Sequence, residues 1–205
     1  MKKWFVFILS IMLGTASIAG GRPFHDRLHP GLEWGYSITV ASYHHFNYLD
    51  ESIGFRINDE GWEPESVSNA FVLGSVTVDF SDFVSLSLIS GYEGLNRRVR
   101  AIPVSARLNY ALRGFDTDGF SLYAGGGMLF ISDKTKRRGK QLELGAVYNI
   151  VLAPHASVGF KLGARAVTDR PDVWDPISEE FISERNIKRK DASYYALNLG
   201  IMLSF

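Results

Sequence analysis

Histidine and serine side chains lie close together at one point of the sequence, where they could form a hydrolytic centre. His155 and Ser157 are separated by one residue and follow directly after Pro154. A serine becomes a nucleophile when a base lies within hydrogen-bonding distance and a third group orients that base. No acidic residue stands beside this pair, so an acid would have to come from another strand. The simpler interpretation is a histidine in a turn.

Two other groups of histidines could contribute to a metal site. His44 and His45 are adjacent, and His25 and His29 both precede them. Adjacent residues of a β-strand point to opposite faces, so His44 and His45 are not expected to bind one metal ion. The glycine run at 125–127 lies inside a strand pattern and lacks the Lys-Ser/Thr pair of a phosphate-binding loop. We therefore expect neither a resident metal nor a cofactor.

A third set consists of charged residues on strand segments whose polar face is otherwise made of small side chains. Its members are Glu33, Asp79, Arg107, Glu143, Lys161 and Arg165. Three are acids and three are bases, so the set could neutralise itself inside a barrel. Unpaired charges are costly to bury, and these side chains are expected to pair. The set predicts an ionic plug that fills the interior. The alternative is a gated ion path in which the pairs exchange.

The composition limits the classes of protein that could carry these residues. The chain has 205 residues, 20 glycines, 14 Phe, 9 Tyr, 4 Trp and no cysteine. The absence of cysteine excludes a disulfide framework, a thiolate metal site and a lipoprotein anchor. The 22 basic and 22 acidic residues balance, so there is no electrostatic case for nucleic-acid binding. A mean hydropathy near zero argues against a helical membrane protein.

Residues 1–19 have the pattern of a secretory signal peptide. Two lysines precede the apolar run of residues 4–13, and small residues follow up to Ala19. The apolar run is too short for a helix that spans a bilayer, which needs about 20 residues. We therefore predict cleavage after Ala19 and a single mature domain over residues 20–205.

The rest of the chain alternates apolar and polar residues with a period of two, which predicts β-strands. Eight segments follow this pattern, at residues 32–46, 69–80, 83–92, 99–110, 120–131, 141–150, 157–167 and 193–205. Most are about ten residues or longer, which is the length of a tilted strand that crosses a bilayer. Two of the predicted connections after odd-numbered strands, 47–68 and 168–192, are long and highly charged. Long loops at one end and short turns at the other are typical of membrane barrels.

Periodicity alone does not decide which face meets water, because soluble and membrane barrels place the apolar face on opposite sides. Glycine and serine dominate the polar face, as the narrow interior of an eight-stranded barrel requires. Aromatic residues collect towards the strand ends, as in the girdles of membrane barrels. We therefore predict that Leu144 faces outward and Glu143 inward. The opposite arrangement would contradict a membrane barrel.

The final strand carries a resemblance to a known family. Tyr195–Phe205 resembles the C-terminal strand of bacterial outer-membrane proteins, and the segments 102–110 and 121–127 resemble small barrels of the OmpA/OmpX-like type. The resemblance implies an all-β, transmembrane, eight-stranded antiparallel up-and-down barrel in the bacterial outer membrane. It implies contact with outer-membrane lipid and lipopolysaccharide, and recognition of the strand ending at Phe205 by the barrel assembly machinery. We expect a monomer with no nucleic-acid partner and no enzymatic activity.

The predicted outer loops are the best candidates for recognition, because loops on rigid scaffolds often carry function. Trp62 and Trp174 lie in two acidic segments, and tryptophan is enriched at the energetic centres of interfaces. Basic residues of the third loop could contact lipid phosphates; they are Lys134, Lys136, Arg137, Arg138 and Lys140. The simpler interpretation of all these loops is a solvated surface beside lipopolysaccharide and divalent ions.

These patterns together predict an integral outer-membrane barrel with a filled lumen and a structural or recognition role. Two alternatives stay open. Some eight-stranded outer-membrane lipid A deacylases use a His-x-Ser pair, so His155 and Ser157 would suit a lipid-modifying hydrolase if an acid stood behind the histidine. A soluble exported barrel that binds an apolar ligand would need an inward-facing aliphatic set, namely Leu86, Leu144, Phe160 and Leu199.

Overall fold

The structure is a computed structural model that describes residues 27–51, 53–95, 99–132, 136–153, 156–175 and 180–205. For Lys136 and Asp175 it describes the backbone alone. Several residues named above lie outside the described part: the predicted signal peptide with its cleavage site at Ala19, His25, Lys134 and His155. The described part contains no helix that is long and apolar enough to cross a membrane.

Ten strands are present in the described part, and eight of them are long. In chain order they are β1 (Leu28–Asp50), β2 (Phe55–Asp79), β3 (Val84–Gly94), β4 (Arg100–Ala111), β5 (Gly119–Ser132), β6 (Lys136–Ala153), β7 (Ala156–Asp169), β8 (Trp174–Asp175), β9 (Glu180–Phe181) and β10 (Ile187–Ser204). The short strands β8 and β9 pair with each other. A single turn of 3-10 helix at Glu184–Asn186 follows them.

The eight long strands form a closed antiparallel barrel. Each pairs with its neighbours in the chain, and β10 closes the ring against β1. If the paired residues are followed around the barrel from Leu32, the path returns to β1 at Tyr43. This stagger means that the strands are tilted relative to the barrel axis. The predicted eight-stranded up-and-down barrel is confirmed.

The apolar face of the barrel lies outside. Leu144 is 63% exposed whereas Glu143 is 8% exposed, as predicted. Phe160 and Leu199 are also more than half exposed, and Leu86 pairs with the outward-facing Leu108. The aliphatic set therefore does not point inward, and the soluble barrel with an apolar interior is the wrong alternative.

The outward apolar residues form a continuous band. On β5 the band runs from Phe120 to Phe130, and on β6 it runs from Leu142 to Leu152. Each stretch covers roughly 30 Å along its strand. The tilt of the strands reduces this to a height of about 25 Å, which matches the apolar band of a membrane-spanning barrel.

The two ends of the barrel differ. At one end, the turn end, β1 begins, β10 finishes, and residues 80–83 and 112–118 join β2 to β3 and β4 to β5. At the opposite end, the loop end, β1 and β2 are much longer than β3 and β4, with 23 and 25 residues against 11 and 12.

The prediction of a loop over 47–68 is therefore wrong. The segment is charged on both faces and lacks apolar alternation. Nevertheless β1 continues to Asp50 and β2 begins at Phe55, and the two strands stay paired over this whole length. We call the part that projects beyond the barrel wall the blade; it consists of residues 41–50, 55–64 and 187–191.

The pairing of β1 shifts register between Thr39 and Ala41 on both of its sides. Such an irregularity reverses which residues of a strand face outward. On the turn-end side of the shift, Trp34 and Tyr36 face outward. On the loop-end side, Ala41 pairs with the outward Tyr195. Unbroken alternation from the inward Glu33 would place Ala41 on the inner face; this prediction is wrong, because the register shift does not show in the alternation.

Candidate functional site

Charged side chains meet in the middle of the lumen. Arg107 donates from Nε and Nη2 to the two carboxylate oxygens of Glu143, at 2.8 and 3.1 Å, and from Nη1 to Glu33 at 2.7 Å. Lys161 donates to Glu33 and lies 3.5 Å from Glu143. The structure thus brings together four residues of the predicted set, which come from four different strands.

A second ion pair adjoins these four. Arg165 donates to Glu93 and to the hydroxyl of Ser37, the latter at 3.2 Å. Glu93 was not predicted, because the sequence pattern placed it in a loop. It continues the inward alternation of Ser87 and Gly91 along β3, which is the signal that could have found it.

We call Glu33, Glu93, Arg107, Glu143, Lys161 and Arg165 the charge cluster. Asp79 is not a member: its carboxylate lies 2.9 Å from Nε2 of His29, nearer the turn end. The prediction that Asp79 forms one network with the other five charges is wrong. Its position on β2 places it at a level of the lumen nearer the turn end. Glu93 takes its place in the charge balance, so the cluster still holds three acids and three bases.

The charge cluster closes the lumen. Its six side chains are all buried, and they help to line a cavity of about 10 Å³. That volume has room for at most about one water molecule. Burial of charges is costly, and the bidentate contact between Arg107 and Glu143 and the ion pairs around it offset part of that cost. Glu93 Oε1 and Arg165 Nε are buried without a hydrogen-bond partner. The cluster is therefore a packed ionic layer rather than an open passage.

Towards the loop end the interior becomes apolar. Five buried side chains pack together there: Leu95, Ala101, Leu129, Ile131 and Val167. The sequence pattern did not identify this apolar cluster, because its members stand on the face assigned to polar residues. The signal was present near the loop ends of β4 and β5, where apolar residues occupy both faces.

Towards the turn end the interior opens into a cavity of about 460 Å³. Hydroxyl and amide groups cover much of its wall, including those of Thr77, Ser85, Ser87, Asn109, Ser121 and Asn149. Asn109 donates to Ser85 and Ser87 at 3.0 and 2.9 Å, so part of this lining is held by its own hydrogen bonds. The ring of Tyr123 lies between the cavity and the charge cluster, with Arg107 Cζ 4.6 Å and Lys161 Nζ 4.9 Å from its centre.

Ser157 lines this cavity. It therefore faces the lumen, whereas a lipid-modifying hydrolase would need its nucleophile at the lipid side. His155 lies outside the described residues, so the predicted pair is not seen as a unit. The geometry of Ser157 does not support the hydrolase alternative.

The two adjacent histidines point to opposite faces of the blade. His44 Nε2 lies 3.3 Å from Asp59, and His45 Nδ1 lies 3.5 Å from Glu60. Among the residues that the structure describes, no group of three or more His, Cys, Asp or Glu side chains could hold a metal ion.

The two predicted recognition tryptophans lie on different elements. Trp62 is on β2 in the blade, not in a loop, and it packs on Tyr43 and Tyr195 with ring centres 5.2 and 5.3 Å apart. Trp174 is on β8 and meets the edge of Phe181 at 5.0 Å. Trp62 thus extends the aromatic residues of the outer wall into the blade.

The blade carries paired charges and free strand edges, of which the one on β2 is the longer. Tyr43 donates a hydrogen bond to Glu60, which lowers the pKa of that carboxyl. Arg189 and Arg170 donate to Asp191 at 2.8 and 3.2 Å, and the bond from Arg189 contributes most to lowering the pKa of Asp191. β2 pairs with β3 only over Phe71–Asp79. In the described part of the chain, residues 55–70 therefore have no strand partner on the side away from β1.

The basic residues of the predicted third loop divide between two faces of β6. Arg137 turns inward and lies 3.1 Å from Asp169. Arg138 and Lys140 are exposed on the outer wall, and Arg138 Cζ stands 5.8 Å from the centre of the Phe130 ring. The loop prediction is wrong for these three residues and for Lys136, all of which lie on β6.

Comparisons with known proteins find distant structural similarities alone. No family model and no curated protein matches the chain. The outer-membrane protein OprG from Pseudomonas aeruginosa is 15% identical, covering 86% of this chain and 95% of its own, with a TM-score of 0.46. The outer-membrane protein AlkL, solved in DMPC bilayers, is 12% identical, covering 91% of this chain and 94% of its own, with a TM-score of 0.43. Neisserial surface protein A is 13% identical, covering 87% of this chain and 97% of its own, with a TM-score of 0.39.

Proposed function

We propose that this chain is an integral outer-membrane barrel with a closed lumen, and that it acts in recognition through the blade at the loop end. The observation that carries the proposal is the contrast between a lumen filled with paired charges and a hairpin that projects beyond the wall. A filled lumen leaves the projecting surface as the part of the molecule most accessible to a partner.

The outer wall supports insertion in a membrane. An aqueous environment would expose a continuous apolar band around the whole barrel, which is far larger than the isolated apolar patches of soluble monomers. The predicted signal peptide and the final strand ending at Phe205 favour the bacterial outer membrane. The same strand makes the barrel assembly machinery a proposed partner, and a ring without free edges in the membrane suits a monomer.

The free edge of β2 supports a specific kind of recognition. An extended peptide can add a strand to an exposed sheet edge through main-chain hydrogen bonds. Asp59, Glu60 and Glu63 stand on this edge, so they favour a partner with positively charged side chains. The charges and Pro64 also protect the edge from pairing with a second copy of the barrel.

The absence of cysteine allows a direct test of the topology. A single cysteine is introduced either on the blade, as Asn58→Cys, or at the turn end, as Thr117→Cys; both positions are exposed. A membrane-impermeant maleimide is expected to label Asn58→Cys in intact cells and Thr117→Cys only after permeabilisation. Labelling of Thr117→Cys alone in intact cells, or release of the protein in buffer without detergent, would contradict the proposal.

The role of the blade can be tested by its removal. Tyr43 and Trp62 are paired, so replacing residues 44–61 by Asn-Gly should close a two-residue hairpin at that level, and Glu63→Gln removes the remaining acid of the edge. The shortened barrel is expected to keep heat-modifiable migration on a gel. It should no longer retain an extended ten-residue peptide of alternating Lys and Thr, which the full-length barrel is expected to bind. The control peptide has ten residues of alternating Glu and Thr. Equal retention of the Lys-Thr peptide by both barrels, or retention of the Glu-Thr peptide by the full-length barrel, would contradict recognition through the acidic edge.

A further inference from the structure

Three cations stand together on the outer wall, away from the blade. Arg138 and Lys140 are on β6, and Arg100 is at the start of β4. The strand between them is β5, where Phe130 pairs with Arg138 on one side and with Ile102 on the other. The three side chains are therefore exposed on alternate strands at the loop end of the barrel.

These cations mark the border of the apolar band. Lys140 precedes Leu142, which is 69% exposed, by two residues, and Arg100 precedes the outward Ile102 by two residues. Side chains two residues apart on a strand share a face. An acyl chain lying on the apolar wall would thus place its headgroup at the level of these cations.

The three cations also differ from their neighbours in what they bind. Within the described residues, none of the three forms an ion pair with a carboxylate, whereas the adjacent Arg137 pairs with Asp169 inside the barrel. Arg100 Cζ lies 6.0 Å from the centre of the Tyr92 ring, and Arg138 stands over Phe130. The aromatic rings orient both guanidinium groups along the wall while their N–H donors stay available.

We propose that Arg100, Arg138 and Lys140 form a binding site for the phosphate groups of a lipid embedded in the leaflet at the loop end. Guanidinium groups bind phosphate oxygens in pairs, and the apolar wall below provides the surface for the acyl chains. The site goes beyond recognition by the blade, because it lies on a different surface. It rests on the proposed insertion in a membrane, with the loop end in the outer leaflet.

Native mass spectrometry of the detergent-solubilised barrel tests this site, with diphosphoryl lipid A as the probe. The same lipid without its phosphates is the comparison ligand. The variant Arg100→Gln/Arg138→Gln/Lys140→Gln is expected to bind diphosphoryl lipid A on the order of 100-fold more weakly, at roughly fivefold for each cation at a membrane surface. The unmodified barrel should prefer the phosphorylated lipid by a similar factor. Inorganic phosphate at millimolar concentration should not compete, because it lacks acyl chains.

A matched variant removes three exposed cations from the loop end without touching the site: Arg56→Gln/Arg185→Gln/Lys188→Gln. It is expected to bind as the unmodified barrel does. Heat-modifiable migration is measured first, so that a failure to fold is distinguished from a failure to bind. If the site variant does not fold, Arg100→Gln and Arg138→Gln are tested singly, each with an expected loss of about fivefold. Unchanged binding in the site variants, equal loss in the matched variant, equal binding of the dephosphorylated lipid, or displacement by inorganic phosphate would each overturn the proposal.

Discussion

The two halves of the barrel interior are built on the same strands but are filled in opposite ways. In the half towards the loop end, the buried side chains of Leu129, Ile131 and Val167 pack together. In the half towards the turn end, serine, threonine and asparagine leave a cavity of about 460 Å³. The ring geometry is common to both halves, so the size of the inward side chains decides whether the lumen is packed or open.

The charge cluster lies between these halves and depends on both. On one side the packed apolar residues exclude water, which strengthens the attraction within each ion pair. On the other side Tyr123 covers Arg107 and Lys161 and separates them from the cavity. We therefore expect substitutions in the packed part of the interior to cost much more than matched substitutions beside the cavity.

The largest difference is expected for charged residues. Arg107→Met leaves Glu33 and Glu143 buried with Lys161 as their shared partner, which should lower the free energy of unfolding by about 3–5 kcal/mol. Asp79→Asn breaks the ion pair with His29, whose two side chains are 23% and 22% exposed, and should cost less than about 1 kcal/mol. Urea unfolding in phospholipid vesicles, followed by tryptophan fluorescence, measures both. Equal losses would show that the cluster is hydrated like the cavity.

The next difference concerns the removal of two methyl groups at matched valines. Val167→Ala should cost about 2 kcal/mol, because it leaves an empty space in the apolar cluster. Val147 is equally buried but lines the cavity, so Val147→Ala enlarges a space that water can enter and should cost about 1 kcal/mol or less. The same urea titration compares them. A larger loss of unfolding free energy for Val147→Ala than for Val167→Ala would show that the half beside the cavity is the more tightly packed one.

Filling rather than emptying the two halves gives a third comparison. Ala101→Leu forces a larger side chain into the packed cluster and should cost about 1–3 kcal/mol. Ala156→Leu adds the same atoms beside the cavity and should change the free energy of unfolding by less than about 0.5 kcal/mol. If Ala156→Leu were the more destabilising variant, the cavity would not be available to side chains.

The smallest effect is expected outside the lumen, in the blade. The hydrogen bond from Arg189 lowers the pKa of Asp191 below its ordinary value of 3.8, so the folded state favours the carboxylate. This stabilisation is present above pH 4 and is lost as the pH falls through the lowered pKa. Exposed pairs of this kind contribute less than about 1 kcal/mol. Hydrogen exchange of the blade amides at pH 5 and pH 3 should show the loss in the unmodified chain and a smaller change in Asp191→Asn.

Much of the wall could be predicted from local alternation. Residues two apart share a face of a strand, so the outward position of Leu144 and the inward position of Glu143 required no knowledge of the partners. The same rule identified every member of the charge cluster except Glu93. It does not include Glu93 because the alternating pattern ends at Tyr92, two residues before the end of β3. Apolar residues at inward positions, such as Leu129 and Ile131, gave no contrast between faces, and the apolar cluster was therefore not foreseen.

By itself, the sequence determined the number of barrel strands, their alternation and the face on which most side chains of the regular wall lie, because these follow from the two-residue period of a strand. Only the tertiary structure decided which inward residues share a level of the lumen. That depends on register and stagger around the closed ring, which placed Asp79 beside His29 and Glu93 beside Arg165. Tertiary pairing also decided the length of the blade. A polar segment such as residues 55–64 stays extended only when a neighbouring strand satisfies its backbone hydrogen bonds, and β1 supplies them here.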